Sequence, residues 1–259
     1  MTGFGGVFAV VLAELVAGGL AVTWCSPLWN EAKRSYFTVY GGLMTVLFAL
    51  PTWFVARSSA GDAPWAPWTT RLSLLTLALV GGSTLLMTVR RQTAARIAGL
   101  ASVAASAGVL AALAPSADRP YPMALVQVAT GALFLGAVYD ALFLGHWYLT
   151  DRKLTRVPIQ RYAMVVVLAC IVEMVVVAAT GSSGGAVSGS LNPLLAAGDV
   201  APWIAIGMAG ATLLIAVMAK AALRGDRASA VRSATGFYYI GVITAITAEI
   251  AVKTRFFPG

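Results

Sequence analysis

Residues 4–24 read FGGVFAVVLAELVAGGLAVTW, an apolar run with a single ionisable side chain, Glu14. About 20 apolar residues are what an α-helix needs to cross the hydrocarbon core of a bilayer, which is roughly 30 Å thick. No Lys or Arg precedes the run. We therefore expect a retained first transmembrane helix rather than a cleaved signal peptide.

The whole chain is as apolar as this first run. Of its 259 residues, 59% are hydrophobic and 11% are charged, with a mean hydropathy of +0.83, whereas a soluble domain carries about 25% charged residues. A backbone in lipid must satisfy its own hydrogen bonds, which leaves helices or a closed barrel. The apolar runs lack the alternation of barrel strands. We predict an all-α, polytopic integral membrane protein with a single membrane domain over residues 1–259.

Seven more apolar runs follow the first. Aromatic residues such as Trp53, Tyr121 and Trp147 mark many of their ends, as in the aromatic belts of membrane proteins. The eight predicted spans are residues 4–24, 36–56, 72–89, 95–114, 122–149, 162–180, 201–222 and 235–254.

Two connections between the predicted spans have unusual compositions. Residues 57–71, RSSAGDAPWAPWTTR, are rich in Pro and Trp, and we expect a loop lying along the membrane interface. Residues 180–202 are rich in Gly and Ser and contain no basic residue. Two interpretations stay open for this second connection: a mobile loop or a short re-entrant segment.

The connections after spans one and five resemble each other. WCSPLWNEAKRSYF (24–37) and HWYLTDRKLTRVPIQRYA (146–163) both pass from aromatic residues through a basic, proline-containing loop into the next helix. We therefore predict a pseudo-repeat of two four-helix units, residues 1–115 and 122–256. This layout is similar, at the level of the fold, to the membrane anchors of polysulfide-reductase type, which implies a subunit of an electron-transfer complex.

The basic residues alternate between the two ends of the predicted bundle. The loops after spans one, three, five and seven hold 13 of the 18 Lys and Arg residues, and the opposite side holds 5. The positive-inside rule then predicts a multi-pass protein of the inner (plasma) membrane with both termini outside the cytoplasm. The net charge of +8 is spread over these loops rather than along one soluble face, so we expect no nucleic-acid partner.

Sequence signatures of catalysis and metal binding are lacking. The chain has two cysteines and one histidine, with no CxxC motif, so we predict no metal site. It has no Walker loop, no GxSxG motif and no dinucleotide-binding glycine pattern. Whether the protein is an enzyme stays open, and the only catalytic role considered is that of a quinone-reactive subunit in an oxidoreductase complex.

Charged side chains inside hydrocarbon are costly, so each one needs a partner or a role. Glu14 and Glu173 lie near the middle of their spans, where they either clamp helices together or handle protons or cations. Glu249 and Lys253 have the i, i+4 spacing that favours a local ion pair. For Asp140 we expect a basic partner on a neighbouring helix.

His146, the only histidine, lies at the predicted cytoplasmic end of span five. It either anchors the helix at the interface or donates a hydrogen bond to a quinone headgroup. Its spacing from Tyr139 and Phe143 places the three on one helix face, with Asp140 rotated off it. A single histidine cannot supply both axial ligands of a bis-histidine haem, so the sequence disfavours haem.

Three functional hypotheses follow. The first is a quinone-binding subunit of a respiratory or electron-transfer complex, with His146, Tyr139 and Asp140 near the cytoplasmic boundary and with other membrane or redox subunits as partners. The second is a small-solute or ion transporter that uses Glu14, Glu173 and Glu249. The third is a structural or assembly subunit. A transporter should bring its carboxylates together around one cavity in the middle of the membrane, whereas a quinone subunit should have an apolar cleft that opens sideways to the lipid beside His146.

Overall fold

A computed structural model describes residues 3–58, 66–117, 119–151, 154–180, 201–225 and 228–256. The regular structure of these residues is entirely helical and includes eight long helices. They are α1 (Gly3–Cys25), α2 (Arg34–Ser58), α3 (Ala66–Thr88), α4 (Gln92–Leu113), α5 (Tyr121–Thr150), α6 (Val157–Thr180), α7 (Ala201–Ala222) and α8 (Ala228–Phe256). Two 3-10 helices, Pro27–Asn30 and Ala114–Ser116, follow α1 and α4.

Each of the eight helices is long and apolar enough to cross a membrane. Their outer surface is apolar as well, because large side chains such as Leu85, Ile97 and Ile243 are more than 60% exposed. A surface of this kind is compatible with acyl chains and not with water. The chain is therefore a polytopic helical membrane protein, as its composition predicts.

Most helices extend beyond the apolar runs that predict them, since a helix can continue through the polar headgroup region. The prediction of an interfacial loop over residues 57–71 is wrong at both ends, because α2 continues to Ser58 and α3 begins at Ala66. Pro67 suits the first turn of a helix, where no intrahelical N–H is required. The rest of that loop, residues 59–65, and nearly all of the Gly- and Ser-rich connection, residues 181–200, lie outside the described residues.

The helices pack as two groups of four. Helices α1 to α4 each contact the next, and α4 returns to α1; helices α5 to α8 form a second ring in the same way. The two rings are joined by α1, which packs against α5 and also against α8. The division into two repeated units, residues 1–115 and 122–256, stays a prediction.

The central helices α1 and α5 touch at Gly18 and Gly136. A Cβ atom on either glycine would overlap backbone atoms of the opposite helix. Only glycine allows two helix backbones to approach this closely. The contact therefore sets the position of α1 against α5, and polar side chains lie on both sides of it along the two helices.

Candidate functional site: a buried cluster of three carboxyl groups and a lysine

Lys253 is the only described lysine that is completely buried. Its Nζ lies 2.9 Å from Glu14 Oε1 on α1 and 3.0 Å from Glu249 Oε2 on α8. The second contact has the i, i+4 spacing that suggested a local pair. The structure extends that pair to a second helix, because Lys253 lies between the two carboxyl groups.

Glu173 of α6 completes the cluster. It is 1% exposed and faces the Glu249 carboxyl group and the Thr130 hydroxyl group, although none of these approaches has the geometry of a full hydrogen bond. The positive charge of Lys253 also interacts electrostatically with the Glu173 carboxyl group. Helices α1, α6 and α8 therefore each contribute one carboxyl group to the bundle interior. Two of these groups, Glu14 and Glu249, are 235 positions apart in the sequence.

Gln127 of α5 borders the cluster. Its backbone carbonyl accepts a hydrogen bond from Lys253 Nζ at 3.4 Å, and its Oε1 accepts one from the Thr180 hydroxyl at 3.0 Å. Its Nε2 is buried and has no acceptor among the described residues. A buried donor without an acceptor is costly, so this amide can bind a further polar group at the cluster.

Gly131 provides the space in which the carboxyl groups meet. A Cβ on this residue would lie 2.8 Å from Glu249 Oε2 and 3.2 Å from Glu14 Oε1. The first distance is too short for ordinary contact. The absence of a side chain at position 131 of α5 is thus what lets carboxyl groups from α1 and α8 approach the same point.

The charges of the cluster do not balance. If all four groups were ionised, three carboxylates and one ammonium would carry two net negative charges. Burying net charge in a medium of low polarity is strongly unfavourable, so the site favours the uptake of protons or of a cation. Among the described residues, no three His, Cys, Asp or Glu side chains are arranged to hold a metal ion. The space between Glu14 and Glu249 is taken by the ammonium group.

Asp140 lies apart from this cluster, and its hydrogen-bond partners among the described residues are hydroxyl groups rather than the expected basic side chain. Its Oδ1 accepts a hydrogen bond from Tyr40 at 2.7 Å, and its Oδ2 accepts one from Thr23 at 2.8 Å. Within the described part of the chain, no Lys, Arg or His forms an ion pair with it. Hydroxyl groups can take the place of a cation here because each supplies a donor without adding charge.

Tyr139, Phe143 and His146 lie on one face of α5 but have different environments. Phe143 packs edge-on against aromatic rings of α2, including Tyr40, and Tyr139 is half-buried. His146 is exposed, and its Nδ1 lies 3.3 Å from the hydroxyl oxygen of Tyr239 on α8. The imidazole is therefore accessible from outside the bundle and separate from Asp140.

Sequence reasoning missed several residues of these polar sites. Gln127 could have been found, because it is an amide within a predicted span. Thr23, Tyr40 and Gly131 gave no such signal, because hydroxyl, aromatic and small residues occur throughout membrane helices. Their roles depend on which helices become neighbours.

Comparisons with protein-family models, with curated proteins and with solved structures each return no match.

Proposed function

We propose that the protein is a small-solute or ion transporter that binds protons at the cluster of Glu14, Glu173, Glu249 and Lys253. The observation that carries this proposal is the buried ammonium group of Lys253 between the carboxyl groups of Glu14 and Glu249, with the third carboxyl group, Glu173, facing Glu249. An ion pair that only stabilised the fold would need one carboxylate for one lysine. The additional carboxyl groups provide sites where protons can bind and leave.

The position of the cluster supports this role. Its members come from α1 and from two helices of the second ring, so it lies where the two four-helix groups meet. Sites between such groups are where transporters bind their substrates, because a movement of one group against the other changes the access to the site. The side-chain nitrogen of Gln127, which has no acceptor among the described residues, gives the same site a donor for a polar solute.

The test is proton flux into liposomes that contain the purified, full-length protein. A potassium diffusion potential drives the flux, and a trapped pH-sensitive dye reports it. We expect flux above that of protein-free liposomes, and a loss of about tenfold or more in Glu249→Gln and Glu173→Gln. Glu31→Gln is the matched control, because Glu31 lies in the loop after α1 and pairs with Arg161.

Two results would reject the transporter proposal. One is a flux no greater than that of protein-free liposomes. The other is a flux that Glu14→Gln, Glu173→Gln and Glu249→Gln all leave unchanged, which would favour a structural or assembly role for the cluster.

A quinone-binding subunit of an electron-transfer complex is the second candidate, favoured by the exposed pair of His146 and Tyr239. An imidazole and a phenol at the surface of the bundle can both hydrogen-bond to a quinone oxygen. In this role the protein would assemble with redox subunits. Binding of a short-chain benzoquinone to the purified protein tests it. We expect about tenfold weaker binding in His146→Ala and no change in Trp203→Phe, an exposed aromatic residue of α7; equal binding by His146→Ala removes this candidate.

For either function we propose a location in the plasma membrane with both termini outside the cytoplasm. The alternation of basic loops supports this orientation, because Lys and Arg are retained on the cytoplasmic side. The loops between α1 and α2, α3 and α4, α5 and α6, and α7 and α8 would then face the cytoplasm. These four loops lie at what we term the basic-loop end of the bundle.

A further inference from the structure

A second polar cluster lies nearer the basic-loop end, centred on Asp140. Asp140 is fully buried, and each of its carboxyl oxygens accepts one hydrogen bond, from Tyr40 of α2 or from Thr23 of α1. The remaining ionisable groups that face it are phenols: Tyr36 on α2, Tyr162 on α6 and Tyr139 on its own helix. In the described part of the chain, the surroundings of this carboxyl group therefore contain hydrogen-bond donors but no cation.

Hydroxyl groups continue from Asp140 toward the basic-loop end. Thr23, which donates to Asp140, lies one turn from Ser26 at the end of α1. The Ser26 hydroxyl donates to the Thr23 carbonyl at 3.2 Å and lies 3.2 Å from the Tyr162 hydroxyl. Ser26 is only partly buried. Side chains that can both donate and accept a proton thus lie between the carboxyl group and that end of the protein.

The two clusters are separated along the same pair of helices. Glu14 and Thr23 are nine residues apart on α1, and Gly131 and Asp140 are nine residues apart on α5, which at 1.5 Å per residue corresponds to about 13 Å in each case. Between them lies the contact of Gly18 with Gly136, where the backbones touch. No side chain or water fits between α1 and α5 at that point.

We propose that Asp140 is a second proton-binding site of the transporter, open to the basic-loop end, and that the Gly18–Gly136 contact is the barrier between it and the Lys253 cluster. This inference rests on the proposed transporter function. A proton arriving from the basic-loop end adds to a carboxylate oxygen of Asp140. The Tyr40 or Thr23 hydroxyl then rotates from donor to acceptor. Transfer onward to the Lys253 cluster requires α1 to move relative to α5.

Infrared spectroscopy of the purified protein tests the site without relying on transport. A pH titration should show a carboxyl C=O band that Asp140→Asn removes and Tyr40→Phe shifts in frequency. Asp151→Asn, at the basic-loop end and paired with Lys33, should leave that band in place. A titrating band that persists unchanged in Asp140→Asn overturns the proposal, as does the lack of any titrating carboxyl band in the wild type.

Cysteine accessibility tests the barrier. In a Cys25→Ser, Cys170→Ala background, we expect a small methanethiosulfonate reagent to modify Asp140→Cys only from the basic-loop side and Glu14→Cys only from the opposite side. If the reagent modified both cysteines from the same side, or modified neither cysteine, the proposed barrier and the access on its two sides would be wrong.

The two proposals fail in different ways. If the spectroscopic and labelling results hold but the Glu14→Gln, Glu173→Gln and Glu249→Gln variants all transport protons normally, the proposed role of the Lys253 cluster fails while the Asp140 site stands. If flux depends on those glutamates but Asp140→Asn alters neither the spectrum nor the flux, only the second site fails.

Discussion

Lys253 Nζ lies 2.9 Å from Glu14 Oε1, an ion pair that joins the last described helix to the first inside the bundle. Both side chains are fully buried, and the pair spans 239 positions of sequence. A buried charge pair of this kind contributes little net stability, because desolvation offsets the attraction, yet the loss of one partner leaves the other charge buried alone.

Lys253→Met should destabilise the protein by about 3–5 kcal/mol, because removing the ammonium group leaves Glu14 and Glu249 without their cation. The measurement is the unfolding midpoint of the purified protein in detergent. Lys220→Met is the control, since Lys220 lies near the end of α7 and is only partly buried. The double variant Lys253→Met/Glu14→Gln should recover part of the loss. A midpoint for Lys253→Met equal to that of the control would contradict the importance of the cluster.

Gly136→Ala should destabilise the protein by about 1–3 kcal/mol or more, because the added Cβ overlaps the backbone of α1 and forces the helices apart. Gly207→Ala provides the matched control, since a Cβ at that position meets nothing within 4 Å. The unfolding midpoints of the two variants are compared in the same detergent. Similar values for both would show that the contact between α1 and α5 is not tight.

Gly131→Ala should strongly reduce proton flux and have a smaller effect on stability. The added Cβ would lie only 2.8 Å from Glu249 Oε2, so the Glu249 carboxyl group would have to move. A disturbance of about 1.4 kcal/mol in the energy of the cluster corresponds to a factor of ten in rate. Flux is measured in liposomes, and Gly42→Ala, at a position with open space around it, is the control. Normal flux in Gly131→Ala would separate transport from the arrangement of Glu249.

Cys25 should react with a membrane-impermeant maleimide only from the cytoplasmic side, because it is exposed at the end of α1 beside the first basic loop. Intact spheroplasts and inside-out vesicles give access to the two sides. Cys25→Ser should abolish labelling, because the remaining Cys170 is buried. Labelling of intact spheroplasts would reverse the predicted orientation of the whole chain.

The sequence was a reliable guide to which charged residues are unusual but not to how they are grouped. Glu14, Glu173, Glu249 and Lys253 stand out because an ionisable group in a 20-residue apolar run has a high cost. Only the local spacing of Glu249 and Lys253 indicated a partner. The contact of Lys253 with Glu14, and the hydroxyl partners of Asp140 in place of a cation, depend on which helices pack together.

The eight helices and their membrane-spanning character follow from the sequence alone, because the length and hydropathy of each run are local properties and lipid forces the backbone of each span to satisfy its own hydrogen bonds. The composition of the Lys253 cluster and the surroundings of Asp140, in contrast, depend on the tertiary structure. Every apolar helix face is compatible with lipid, so hydrophobicity does not select neighbours, and close packing at Gly18 and Gly136 sets α1 against α5 instead. That packing brings together carboxyl groups that are distant in the chain, and it separates Asp140 from them.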